Sequence, residues 1–133
     1  MSEQQPPLVV YLDRALGRNT VAVALRAAGL TVEIHDDHFA QDARDVDWLP
    51  IVAAKGWVVL TKDAAVARRP LEREAIEVAG ARVFAFSNAN VPASAVASGF
   101  LAGWSRIVEL LAAHAGAVIG VVHRDGRVEV RLP

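Results

Sequence analysis

Cysteine is absent from the 133-residue chain. That removes disulfides, zinc fingers, thiolate metal sites and thiol catalysis, and it fits a reducing compartment. Long apolar runs are missing too: none approaches the roughly 20 residues that span a bilayer. No basic region followed by an apolar core opens the chain, so the expectation is a cytoplasmic protein without anchor or signal peptide. A net charge of −1 gives no global attraction for a polyanion, so any nucleic-acid contact must come from local clustering. Gly17 and Gly29 match no phosphate-binding loop, no serine sits in a nucleophile-elbow context, and there is no internal repeat.

What is present is a 53% apolar chain without a long polar tract. It has room for one core and not two, so a single domain is expected over 8–133, after a loose N-terminal segment at 1–7. Leu8 to Leu12 is a continuous β-favouring run, too apolar for a solvent face, which marks a central strand. A helix follows over Gly17 to Ala28, capped by Asn19 or Thr20 and ending at Gly29, and then a strand from Thr31 to His35. The stretch from Asp36 to Arg44 has no apolar period and reads as a loop. Asp45 or Asp47 then caps a helix that carries Pro50 in its first turn and stops at Gly56.

The remaining elements repeat the alternation. Trp57 to Thr61 is a strand, Pro70 to Ala79 a helix, Arg82 to Phe86 a strand, and Pro92 to His114 the longest helix. The segments around His123-Arg124-Asp125-Gly126 form a C-terminal β-hairpin over 117–131, signalled by Asp-Gly. Strands alternating with helices predict an α/β fold whose sheet core is parallel with right-handed crossovers.

In such a sheet ligands bind off the carboxyl ends of the strands, and that is where the acids fall. Asp13 closes the first strand, Asp63 closes Trp57-Val58-Val59-Leu60-Thr61-Lys62, and Asp47 opens the helix leading into that run. Clustered carboxylates suit a hard divalent cation such as Mg²⁺ or Mn²⁺, which polarises a phosphate and lowers the pKa of a bound water. The plainer alternative is that Asp47 is only a helix cap and that Asp13 and Asp63 are solvated strand ends.

Asp36 or Asp37, in the cluster His35-Asp36-Asp37-His38, is a candidate fourth carboxylate. Arg14, Lys62, Arg68, Arg69 and Arg73 follow the strand-end acids and are candidate phosphate contacts, with surface ion pairing as the alternative. Thr61 either orients a water by its hydroxyl or simply serves as a β-branched strand residue. Trp48, Trp57 and Trp104 suit base stacking or, given their apolar neighbours, the core.

Tyr11-Leu12-Asp13-Arg14-Ala15-Leu16-Gly17, with Asp47 before Gly56-Trp57-Val58-Val59-Leu60 and the closing Thr61-Lys62-Asp63, resembles the PIN-like nuclease domain, and more narrowly the VapC toxins of bacterial toxin–antitoxin modules. The similarity covers roughly residues 8 to 115. It implies a three-layer α/β/α sandwich around a mainly parallel sheet and Mg²⁺ or Mn²⁺ at the acidic edge. It also implies endoribonuclease action on RNA, checked by an antitoxin protein. By position it makes Asp13, Asp47 and Asp63 the catalytic and metal-binding acids. The family's further acid on a middle helix has no obvious counterpart, leaving Asp36 or Asp37 for that role or none. The apolar long helix and the tryptophans make a homodimer plausible. A different class stays open: a module that kept the fold, lost the chemistry and docks a basic partner on its acidic edge.

Overall fold

The computed structural model describes residues 8–132; the loose segment expected at 1–7 lies outside them. The elements run β1 (Val9–Leu12), α1 (Thr20–Ala27), β2 (Thr31–Ile34), α2 (Asp45–Ala54), β3 (Val58–Thr61), α3 (Pro70–Ala79), β4 (Arg82–Phe86), α4 (Ala93–Ala113), β5 (Val118–Val122) and β6 (Val128–Leu132). They build a six-stranded sheet of order β2-β1-β3-β4-β5-β6. The first five strands in that order are parallel, and β6 returns antiparallel beside β5 as the expected hairpin.

The strands are apolar on both faces because both faces are covered. Val10 and Leu12 of β1, Val58 and Leu60 of β3, and Phe84 and Phe86 of β4 point into a core shared with residues of α1 and α4. The intervening Tyr11, Val59, Val83 and Ala85 point into a second core shared with α2 and α3. This is the three-layer α/β/α sandwich, and the period of two along each strand produces it. Val10, Tyr11, Leu12 and Leu60 are wholly buried, each aliphatic among them contributing on the order of 1.5–3 kcal/mol.

Three local features depart from the sequence-based expectation. The stretch after β2 is not a plain loop: His35–Asp37 forms a 3-10 turn, and His35 is fully buried. Its Nδ1 meets the Tyr11 hydroxyl at 2.5 Å and its Nε2 the Ala40 carbonyl at 3.0 Å, so Tyr11 donates to one nitrogen while the other donates to the backbone. Neither Asp45 nor Asp47 caps α2; Arg44 occupies that position and makes no side-chain cap bond, which places Asp45 inside the first turn. Lastly, α4 has 21 residues and a mean hydropathy of 1.3 over its best window, enough by length and composition to cross a membrane. Alanine and glycine supply that length without a run of large apolar residues, and half of the window is buried inside this domain.

Candidate active site

The carboxyl edge of the sheet is built by the ends of β1 and β3. These strands are paired through Leu12 and Leu60, so the residues that follow, Asp13 and Thr61, come side by side. The Asp13 backbone N–H donates to the Leu60 carbonyl at 3.1 Å, extending the ladder one residue past the strand. Thr61 is 2% exposed, and its hydroxyl donates to Asp13 Oδ2 at 2.7 Å. The Thr61 hydroxyl oxygen in turn accepts the Asp63 backbone N–H at 3.2 Å.

Both aspartates also cap the turns that follow them. Asp13 Oδ1 accepts from Ala15 N–H at 3.1 Å and Asp63 Oδ1 from Ala65 N–H at 3.2 Å, each at the head of a 3-10 turn. Each carboxylate thus uses one oxygen for its own backbone and turns the other toward the edge. On Asp63 that second oxygen receives Arg69 Nη1 at 3.0 Å, and the same nitrogen reaches Glu72 Oε1 at 2.8 Å. One guanidinium therefore bridges an acid at the end of β3 and an acid in the first turn of α3.

A narrow trough of about 100 Å³ opens here between α2 and α3. Asp13, Asp45, Thr61 and Glu72 supply its polar lining, and Val46, Leu49, Leu71 and Ile76 are among its apolar walls. Burial pushes the Asp45 carboxyl above the ordinary aspartate range, and the negative charges of Asp13 and Glu72 push it further, against a smaller opposing effect of Arg14. Asp45, Asp13 and Glu72 are thus close enough to sense one another's charge. Among the described residues no three acidic or histidine side chains stand close enough to hold an ion between them as placed.

The other candidates lie as follows. Asp47 is exposed, pairs with Arg44 at 3.2 Å and does not line the trough. Successive helical residues are separated by about 100°, so two acids two positions apart point in nearly opposite directions. Asp45 shares its face with the buried Trp48, Leu49 and Val52, whereas Asp47 shares its face with the exposed Ile51. Asp36 and Asp37 belong to a separate cluster on Arg18, at 3.4 and 3.8 Å.

Of the expected cations, Arg14 donates to the Gln41 and Ala43 carbonyls and ties down the segment ahead of α2. Arg73 donates to the Ala67 carbonyl at 2.9 Å. Arg69 is the acid bridge. Lys62 and Arg68 make no side-chain hydrogen bond or ion pair among the described residues. Trp48 is 4% exposed and lies 5.0 Å from the Tyr11 ring, in the core.

Asp45 and Glu72 are the trough acids that sequence reasoning missed, and one signal could have found both. Asp45 precedes Trp48, Leu49 and Val52 at i+3, i+4 and i+7, and Glu72 precedes Ala75, Ile76 and Ala79 at the same spacings. Each is the polar residue that continues the apolar stripe of its helix at the end nearest the sheet edge.

A family model described as a PIN like domain matches residues 8–88, more than half of the chain. A protein of Mycobacterium tuberculosis (strain ATCC 25618 / H37Rv), named "Putative ribonuclease VapC45", is 32% identical over 125 residues, covering 91% of this chain and 90% of its own. No solved structure matches the chain significantly. With the parallel sheet, its paired strand-end aspartates and these similarities, the chain belongs to the PIN-like domain family, in its VapC-type branch.

Proposed function

We propose that the protein is a divalent-metal-dependent endoribonuclease, the toxin of a type II toxin–antitoxin pair, acting on RNA in the cytoplasm. The observation that carries this reading is the Asp13–Thr61–Asp63 arrangement, in which one buried hydroxyl links two carboxyl-bearing strand ends. The likeness to a ribonuclease-named relative supports the same class.

The residues fit a hard cation in their chemistry. The donors are all oxygen, from Asp13, Asp63, Glu72 and Asp45. The Asp63 and Glu72 carboxylates already share a positive group, the Arg69 guanidinium. Asp13, Asp45 and Asp63 would hold Mg²⁺ or Mn²⁺, with Glu72 as the fourth acid; Asp47 stays outside this set by its placement. The ion would supply Lewis acidity toward the phosphodiester and activation of the attacking water.

The chain's own contributions follow from the contacts. Thr61 fixes the orientation of the Asp13 carboxylate, and the turn amides of Ala15 and Ala65 hold one oxygen each of Asp13 and Asp63. Of the cations expected from sequence to contact phosphate, Lys62 and Arg68 are those with side chains left to meet one. The antitoxin would lay an apolar segment along Val46, Leu49 and Leu71 and bring a basic side chain to the trough acids, where it relieves their repulsion. Leu71 is 81% exposed and Val46 55%, a cost in water that such a partner would remove.

A second reading, a binding module without chemistry, is favoured by the acids' not being gathered as placed. One experiment separates the two. Purified protein is given RNA with Mn²⁺, with EDTA, and after Asp63→Asn. Cleavage that needs the ion and is lost in the variant supports the nuclease; metal-independent cleavage, or none together with no metal-induced rise in Tm, sinks it.

A further inference from the structure

Beyond the acid trough, the same sheet edge continues over β4, β5 and the turn into β6, and it changes sign. Two depressions lie there. One, of about 360 Å³, is lined by Ser87, Asn88, His123, Arg124, Asp125 and Arg127 among others. The other, of about 170 Å³, is lined by Arg68, Ser87, His123 and Arg131 among others. Ser87 and His123 line both, so the two form one two-lobed cleft, whose near end is the turn that Asp63 caps.

Its charge is unbalanced. Arg68, Arg124, Arg127 and Arg131 face two carboxylates, Asp125 and Glu129. Glu129 is shared among His123 at 2.8 Å, Arg131 at 2.7 Å and Arg127 at 3.6 Å. Asp125 is engaged by the turn itself, accepting the Arg127 backbone N–H at 3.0 Å. Arg124 and Arg68 are exposed and carry no ion pair among the described residues. In a chain of net charge −1 this surplus is local.

The cleft is also held firmly. Ser87 N–H donates to the Val122 carbonyl at 2.9 Å, locking the end of β4 to β5. Gly126, at φ +91, lies so near α4 that an added Cβ would stand 2.8 Å from the Ala102 backbone.

We infer that this cleft is a phosphate-binding track for single-stranded RNA, leading the strand away from the trough acids across β4 to the hairpin. The inference rests on the nuclease reading for its direction. Neighbouring strands are about 4.8 Å apart, so β3 and β5 are separated by about 10 Å, and a nucleic-acid strand lying across this edge passes from the acids to the arginines. Arginine suits backbone phosphate by bidentate contact, and Ser87 and Asn88 add neutral donors. The hairpin lies past residue 88, where the family match ends, so Arg124, Arg127 and Arg131 belong to the part of the chain that the match leaves out, while Arg68, Ser87 and Asn88 fall inside it.

The test measures binding of a fluorescent single-stranded RNA of about a dozen nucleotides to the whole protein in EDTA, over a range of salt. The triple variant Arg68→Gln, Arg124→Gln, Arg127→Gln should bind at least tenfold more weakly at low salt. Its slope of log affinity against log salt should fall by about 2, at roughly 0.7 per lost phosphate contact. The matching Arg→Lys triple should restore the slope while the Tm of all three proteins agrees. An unchanged slope overturns the track, and so does displacement of RNA by poly-glutamate of equal charge, which would point to an acidic protein partner. Arginine-dependent binding without Mn²⁺-dependent cleavage would leave the track standing and remove the nuclease reading. Cleavage with an unaltered slope would do the reverse.

Discussion

Thr61 and Asp13, 48 positions apart in sequence, are joined by a 2.7 Å hydrogen bond at the ends of adjacent parallel strands. The acceptor is a carboxylate and the donor is almost wholly buried, which puts this bond among the stronger class. Replacing Thr61 by valine keeps the shape and the β-branch but removes the donor to Asp13 and the acceptor for the Asp63 amide. Thr61→Val should cost about 1–3 kcal/mol in urea unfolding and lower RNA cleavage at least tenfold, while Thr61→Ser keeps most of both. Full activity in the valine variant would show that Asp13 needs no orienting hydroxyl.

Arg69 competes with any added cation for Asp63 and Glu72. Arg69→Gln should therefore tighten Mn²⁺ binding by about 3- to 10-fold, read by calorimetry. The metal-free Tm should hardly change, because solvent screens such exposed ion pairs. Weaker metal binding would mean that the guanidinium supports the acid arrangement instead of competing for it.

Asp45 gives a pH dependence whose sign is opposite to that of an ordinary paired aspartate. Its carboxyl is pushed up by burial and by Asp13 and Glu72, so the folded protein binds this proton more tightly than the unfolded chain does. The associated stability is complete below the unfolded aspartate value and is lost as pH rises through the raised one. Near neutrality Asp45 is a cost. Asp45→Asn should raise the metal-free Tm at pH 7, by an amount that solvent screening keeps small. The gain should vanish under acid conditions and reverse with saturating Mn²⁺. A variant less stable at pH 7 without metal would contradict the repulsion.

Gly126 tests how the hairpin is fastened. Gly126→Ala meets both a positive φ and the Ala102 backbone, and should cost about 2–4 kcal/mol. Amide exchange should speed up first in β6. Uniform exchange across all six strands would show that the hairpin and the sheet open as one unit.

The α/β/α layering was legible because it follows from patterning: Leu8 to Leu12 and Trp57 to Thr61 are too apolar to face water, and the helices between them end at glycines. Asp13 and Asp63 were legible as strand ends for the same reason. What stayed hidden was rotational phase. Asp45 and Asp47 are equally good cap residues in sequence, and only the angle of α2 on the sheet, set by Trp48 and Leu49, decides which of them enters the trough. Glu72 was hidden by its ordinary setting in the first turn of a helix. Arg69, foreseen as either a phosphate ligand or a surface ion pair, was hard to place because a cation three residues before an acid is common on any surface. The burial of His35 could not be read from a run of polar neighbours; it depends on Tyr11 supplying a hydroxyl from another strand.

The returning strand β6 has a consequence for the solubility of the chain. All five residues of β5, Val-Ile-Gly-Val-Val, are buried, and their outer hydrogen-bonding edge is taken up by β6. Strand β6 is itself only partly buried and carries Glu129 and Arg131, charges that discourage a further strand from adding beyond it. A chain cut between the two would end on an apolar strand with open N–H and C=O groups, a template for pairing with its own copies. Proteolysis in the turn at Arg124 or Arg127 would therefore not yield a slightly shortened enzyme. It would turn a covered sheet edge into the seed of an aggregate, and disposal of the protein could begin with that single cleavage.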